Sequence, residues 1–213
     1  MAAKNIAVTE HLVLRAMASG DAPALAAYRT DPVQARYQSW ETPYSVDTAQ
    51  ALIADMREVR FAQPGAWLQV AIETAGRLIG DVAVRVDGDD SRQAEVGFTL
   101  AADAQGRGFA TEALRAVMSL LFTEHGVHRI SADCDARNVR SAALLERVGM
   151  RREAHHRKSV WWKGEWTDEY VYAVLAEEWR DEKRWAPRRE PRKASAPDAS
   201  RSGGDGMGRY KQG

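Results

Sequence analysis

Gln105-Gly106-Arg107-Gly108 separates an alternating apolar segment that ends at Leu100 from a stripe at helical spacing that begins at Phe109. A turn of this kind leaves backbone N–H groups without acceptors and converges them on one point. The dipole of the following helix adds partial positive charge, so the arrangement suits a pyrophosphate. Glycine at 106 and 108 lets the backbone approach such a ligand without interference from a Cβ. It is not the dinucleotide fingerprint, because Thr111 stands where the third glycine belongs. It is not a Walker loop either, since no Gly-Lys-Ser/Thr follows. The motif alone leaves a plain strand-to-helix turn with a glycine cap as the alternative.

Other residue types invite chemistry. Glu95 is an acid on an otherwise apolar strand, AEVGF. It either works on a proton, directly or through a water, or is held by an arginine. Cys134 is the only cysteine, which excludes an intramolecular disulfide and a cysteine metal cage. No histidine is locally paired with it, so a small core side chain is expected rather than a nucleophile. His125 with His128, and His155 with His156, lack a carboxylate at zinc-site spacing, so no metal is expected. The 7 tryptophans include candidates for the walls of a site, but packing explains most of them.

These groups must be placed by elements that the sequence also marks. His11 to Arg15 alternate as a first strand. Asp21 and the run ALAAY after Pro23 mark a short helix, and Asp31-Pro32 opens another. Ser45 caps a third, whose apolar positions Ala49, Leu52, Ile53 and Met56 follow helical spacing. WLQVAIE at 67–73, LIGDVAVRV at 78–86 and AEVGFTL at 94–100 read as strands joined by the turns TAGR and DGDD, so they pair antiparallel. From Phe109 the positions Ala110, Ala113, Leu114, Val117, Met118 and Leu121 form one helical stripe, ended by His125 and Gly126. RISADC at 129–134 is a strand, and Asn138 or Asp135 opens a helix that Gly149 closes. Residues 150–163 and 167–175 form a long hairpin around Lys163-Gly164, and a last helix is expected from Glu177 to Arg184. The order gives an α/β sandwich with a mixed, mainly antiparallel central sheet flanked by helices.

The chain has 213 residues, 45% hydrophobic and 28% charged, which suits one globular domain with an appendage. The domain is expected over 1–185. Residues 186–213 carry three prolines, five glycines and little that is apolar, as a mobile tail would. Thirty basic residues balance thirty acidic ones, but the tail holds seven basic and three acidic, so residues 1–185 are net −4. That charge argues against a dedicated nucleic-acid binder. No apolar run reaches membrane-spanning length and no signal-peptide core opens the chain, so no membrane partner and a cytoplasmic location are expected.

Gln105-Gly106-Arg107-Gly108-Phe109-Ala110 matches the Q/R-x-x-G-x-G/A signature of the GNAT N-acetyltransferases. RISADCDARNVRSAALLERVGM at 129–150 is similar to the second block of the RimJ/RimL branch, with Asn138, Ser141 and Gly149-Met150 in place. WWKGEWTDEYVYAVLAEEW resembles that branch's terminal hairpin, including Gly164 and Asp168, and TEHLVLRAM its first strand. The resemblance spans residues 9–179.

It implies acetyl-CoA as donor and a GNAT-like sheet in which strands 94–100 and 129–134 splay to admit it. Backbone amides from Gln105 through Gly106, Arg107, Gly108 and Phe109 to Ala110 would hold the pyrophosphate, with Thr111 beside them. Phe98 and Leu100 would bind the pantetheine arm, and the Leu100 N–H would stabilise the oxyanion of the reacting thioester. Asn138 would bind the arm as well as cap its helix. Ser141 would stand beside the leaving sulfur as donor or general acid, or simply serve the first helical turn. Many relatives use a tyrosine there, and none falls in this part of the chain. Glu95 becomes the candidate base or amine-binding group. Glu165 would face the acceptor, and Asp168 would stabilise a turn.

Three functions remain open on this basis. They are a protein N-terminal acetyltransferase of RimJ/RimL type, a small-molecule amine acetyltransferase such as an aminoglycoside-modifying enzyme, and a silent acyl-CoA sensor. Thirteen acidic against nine basic residues in the first hundred do not choose between them. A homodimer through the sheet edge or the hairpin is compatible with the sequence.

Overall fold

The computed structural model describes residues 5–179. The tail 186–213 and the expected last helix beyond residue 179 lie outside the described residues. At 176–178 the chain makes a turn, in which the N–H groups of Glu178 and Trp179 both donate to the Leu175 carbonyl.

The alternation at 67–100 becomes three antiparallel strands, β3 (Trp67–Thr74), β4 (Arg77–Val86) and β5 (Gln93–Leu100). Ala75 and Gly76 make the first turn with φ of 49° and 75°, the mirror-image geometry that matches strand twist. Before them come β1 (Asn5–Val8) and β2 (Val13–Ala16). The expected strand at His11 to Arg15 is thus corrected. Its first half is a turn, in which Thr9 Oγ1 accepts from the Leu12 N–H at 3.1 Å. That turn is pinned by Glu112, which accepts from Thr9 Oγ1 at 2.5 Å and from the His11 N–H at 2.9 Å.

The helices α1 (Ala22–Thr30), α2 (Pro32–Ala35) and α3 (Val46–Asp55) follow β2. Asp31 accepts from the Val33 N–H and Ser45 from the Thr48 N–H, so both expected caps form. After β5 come α4 (Phe109–Glu124), β6 (Arg129–Asp135), α5 (Val139–Arg147), β7 (Arg151–Trp162) and β8 (Glu165–Leu175).

All eight strands form one sheet in the order β1-β2-β3-β4-β5-β6-β8-β7. Among the described residues the only parallel strand pair is β5 with β6. On one face, Val117, Met118 and Leu121 of α4 pack in a single cluster with Val96, Leu100 and Ile130. On the other, Leu25, Ala49 and Ile53 of α1 and α3 cover Ala71 and Leu78. A buried polar knot fixes α1 to the sheet. Asp81 of β4 accepts from the Tyr28 hydroxyl and lies 3.5 Å from Arg29 Nη2, and Arg29 in turn stacks on Trp40 at 4.2 Å.

Candidate active site

Strands β5 and β6 pair only over Gln93, Ala94 and Glu95 against Arg129, Ile130 and Ser131, and then part. The Ala94 carbonyl points toward β6, where it accepts from Ser131 Oγ at 3.3 Å. The Ala101 N–H points the other way, to the Ile79 carbonyl on β4. Alternation along the strand therefore turns the N–H and C=O groups of Val96, Phe98 and Leu100 into the fork that β6 has left. The side chain of Gln105 fills one of these, donating to the Leu100 carbonyl at 3.1 Å, so the Leu100 N–H stays available.

The glycine turn stands at the open end of the fork. The first hydrogen bond entering α4 runs from the Glu112 N–H to the Gly108 carbonyl. No acceptor among the described residues meets the N–H groups of Gly106, Arg107, Gly108, Phe109, Ala110 or Thr111. Gln105 itself is committed, since its N–H donates to the Ala102 carbonyl at 3.3 Å, so the open run starts at Gly106. Gly106 and Gly108 adopt φ of 73° and 85°, and a Cβ built on either would have no atom within 4 Å. The turn thus fits an anion: a left-handed backbone with free amides and open space above it.

The N-terminus of α5 joins the same end of the sheet. Asn138 caps it by accepting from the Ser141 N–H at 3.2 Å. Arg140 Nη1 reaches Gln105 Oε1 at 3.4 Å, which ties this helix start to the glycine turn. The Ser141 hydroxyl has no partner among the described residues and sits half-buried on the first turn.

The face opposite α4 is where an acceptor can enter, because α4 and the core close the other. Cross-strand partners share a face, so Trp67, Arg85, Glu95 and Ser131 form one row across it. Glu95 is paired with Arg85 at 2.7 Å, and Arg85 stacks on Trp67 at 5.1 Å. One row further into the fork, Ala83 and Gly97 face Asp133 across the gap. Asp133 went unnoticed in the sequence, although RISADCD alternates so that Ser131, Asp133 and Asp135 share the polar face. Glu169 on β8 lies diagonal to Asp133 and hydrogen-bonds it, with His156 Nδ1 at 3.8 Å on its other side. Burial pushes both carboxyls up, and the charge of Asp133 adds to the rise at Glu169. Asp133 is open to solvent by area while protein mass surrounds it, as befits the floor of a cleft.

The hairpin and α2 roof this face. Lys163 Nζ donates to the carbonyls of Ala35 at 2.6 Å and Trp40 at 3.0 Å. Beneath it is a cavity of about 280 Å³ whose lining includes Arg36, Glu41, Arg137 and Trp162. Glu165 also lines it, paired with Arg137 at 2.7 Å. Asp168 holds a bulge in β7, accepting from the Lys158 N–H at 3.0 Å and lying 2.9 Å from His155 Nε2. Burial raises the Cys134 thiol to about 12, so it stays protonated and inert at neutral pH. The His125 ring is packed against Phe61 at 5.3 Å, and burial lowers its pKa. Trp161 and Trp166 meet edge to face at 5.5 Å on the outside of the hairpin.

A mainly antiparallel eight-stranded sheet flanked by helices and forked at the parallel β5–β6 pair is the fold of an acetyltransferase domain. Residues 11–151 match the acetyltransferase (GNAT) domain, and the chain belongs to that family of N-acetyltransferases. It is similar to the uncharacterized N-acetyltransferase YnaD of Bacillus subtilis, 40% identical over 40% of this chain and 50% of that protein, so it spans half of that relative's length. It is 29% identical to the putative ribosomal N-acetyltransferase YdaF of Bacillus subtilis over 83% of this chain and 97% of that one. Among solved structures, RimJ of Mycobacterium smegmatis in complex with CoA-disulfide superposes with a TM-score of 0.69 at 27% identity, covering 78% of this chain and 83% of that one. Among the described residues no helix is long and apolar enough to cross a membrane.

Proposed function

We propose that this chain transfers the acetyl group of acetyl-CoA to a primary amine by direct attack, and that the amine is the N-terminus of a protein or peptide. The observation that carries this is the fork between β5 and β6, with its free strand edge leading to six unpaired amides at the glycine turn. The amides from Gly106 to Thr111 hold the pyrophosphate. The edges of Phe98 and Leu100 hold the pantetheine arm, and Asn138 meets it from α5. The Leu100 N–H faces the thioester oxygen, where charge develops as nitrogen attacks. Ser141 donates to the departing sulfur. Holding amine and thioester together supplies much of the rate, and no covalent enzyme intermediate is needed.

The peptide acceptor is supported by the names of the relatives, a putative ribosomal N-acetyltransferase and RimJ. A small cationic amine is the second reading, favoured by Asp133 and Glu169 on the acceptor face. Purified protein is incubated with acetyl-CoA and a panel of N-terminal alanine peptides, spermine and kanamycin. Thiol release and acetylated products are then followed by mass spectrometry. An acetylated peptide N-terminus supports the first reading, and acetylated spermine or kanamycin the second. Acetyl-CoA binding with no product from any amine defeats both and leaves a sensor.

A further inference from the structure

We propose that Asp133, not Glu95, takes the proton from the acceptor amine, with Glu169 as its positioning partner. This rests on the acetyltransfer reading above. Asp133 lies two residues beyond Ser131, the last residue of β6 that pairs with β5, on the face opposite α4. It therefore stands where the fork opens onto the acceptor side. Its neighbours across the gap are Gly97 and Ala83, which leave the space above it clear. Glu95 sits one row further back, where the strands still pair, and its carboxylate is held by Arg85.

The surrounding charges separate the candidates. On β6 itself Asp135 is spent on Arg137 at 2.7 Å, and Arg129 on Glu153 at 2.5 Å. From β8 and β7, Glu169 and His156 face the site. From the loop after α2, Arg36 acts on Asp135 rather than on Asp133. Asp133 has no lysine or arginine partner among the described residues; burial raises its carboxyl, while hydrogen bonds from its own backbone N–H and from Glu169 pull it down. Two adjacent carboxyls with no cation between them share a proton, and a raised carboxyl is the better base.

The step balances. The ammonium nitrogen gives one proton to an Asp133 oxygen, directly or through one water, and its freed electron pair bonds to the thioester carbonyl carbon. When that adduct collapses, the C–S bond breaks and sulfur leaves with its electrons. The second nitrogen proton is released and the sulfur is protonated. One amide, one thiol and one proton result from one ammonium and one thioester.

The test compares Asp133→Asn, Glu169→Ala and Glu95→Gln on the best acceptor of the panel above, with acetyl-CoA affinity by calorimetry as the control for folding. Asp133→Asn is expected to lower kcat about a hundredfold with acetyl-CoA affinity within twofold, the lower end of what a general base supplies. Its loss is to exceed that of Glu95→Gln at least tenfold, and Asp133→Glu is to restore part of it. Glu169→Ala removes the group that hydrogen-bonds Asp133 and holds its carboxyl down, so the acid limb of the kcat profile moves to higher pH. The assignment is overturned if Asp133→Asn keeps kcat within threefold, if Glu95→Gln costs as much, or if Glu169→Ala leaves the acid limb in place. A wild-type chain that binds acetyl-CoA yet acetylates nothing overturns the proposed function itself. Wild-type turnover matched by Asp133→Asn overturns only this role.

Discussion

Glu95 and Asp133 stand one row apart on the same face of the sheet, and of the two only Glu95 is held by an arginine. Sequence picks out Glu95 because an acid interrupts an apolar strand, yet the register of β4 on β5 sets Arg85 directly across from it. Asp133 escapes notice because it follows a polar alternation that looks like an ordinary exposed edge. Its importance comes from β6 leaving β5, a tertiary event. Gly108 and Ser141 are legible by contrast, since each belongs to a local turn or cap whose geometry the neighbouring residues dictate. Ser141→Ala should lower kcat about tenfold, ~1.4 kcal/mol of transition-state stabilisation, with acetyl-CoA affinity within twofold. Steady-state kinetics beside calorimetry check it, and turnover at the parent rate removes Ser141 from the leaving-group step. Gly108→Trp places a bulky side chain in the open space above the free amides. It should weaken acetyl-CoA by at least about a hundredfold, ~2.7 kcal/mol, and unchanged calorimetric affinity would remove the phosphate-binding role of the turn.

Helix α1 is held to the sheet by Asp81 as well as by its own apolar face. Burial drives the Asp81 carboxyl up while Arg29 and the Tyr28 hydroxyl pull it down, and the Arg29 Nε has no partner among the described residues. Removing one side of such a pair leaves a buried charge uncompensated, a loss of about 3–5 kcal/mol. Asp81→Ala should therefore lower Tm by roughly 10 °C in a domain of this size. A fall under about 3 °C by calorimetry would show that α1 docks without it. The start of α1 is also pinned by Arg15, which binds Asp21 at 2.7 Å and Glu73 at 2.6 Å. Burial alone would raise the Asp21 carboxyl, but hydrogen bonds from Arg15 and the Ala18 N–H outweigh it and hold it low. A folded pKa below the unfolded value contributes stability above about pH 4 that is lost as pH falls through the folded pKa. Chemical denaturation from pH 5 to pH 2 should show this loss, and Asp21→Asn should flatten it. An equally steep loss in the variant would put the acid sensitivity elsewhere. Elements were largely readable because caps, turns and periodicity are local: Asp31, Ser45 and Asn138 each cap the helix they precede. Strand β1 was not, since the four residues Asn5–Val8 are too few to show an alternation.

At the scale of the whole molecule, strand order is what the sequence withholds. A hairpin can add either of its strands to a sheet, and here β8 lies inside against β6 while β7 takes the edge. The burial explains the choice: Tyr172, Ala173 and Val174 of β8 are buried, whereas RREAHHRKSVWW is mostly exposed and rich in charge, as edges are. The fork is the other non-local feature, and it leaves the β5 edge from Val96 to Leu100 without a strand partner toward β6. A ligand that occupies the fork supplies those partners and bridges the two halves of the sheet. Acetyl-CoA at about a hundred times its Kd should therefore stabilise the fold by ~2.7 kcal/mol, which corresponds to a Tm rise of roughly 5–10 °C. Hydrogen exchange should slow chiefly at residues 96–100, 106–111 and 132–134. The β1–β2 edge should change little, since it is separated from the fork by β3 and β4. Gly108→Trp should abolish both effects without lowering the Tm of the unliganded chain by more than the cost of a left-handed tryptophan, ~1–2 kcal/mol. A full thermal shift in that variant, or protection spread evenly over the sheet, would mean that acetyl-CoA binds somewhere other than between β5 and β6.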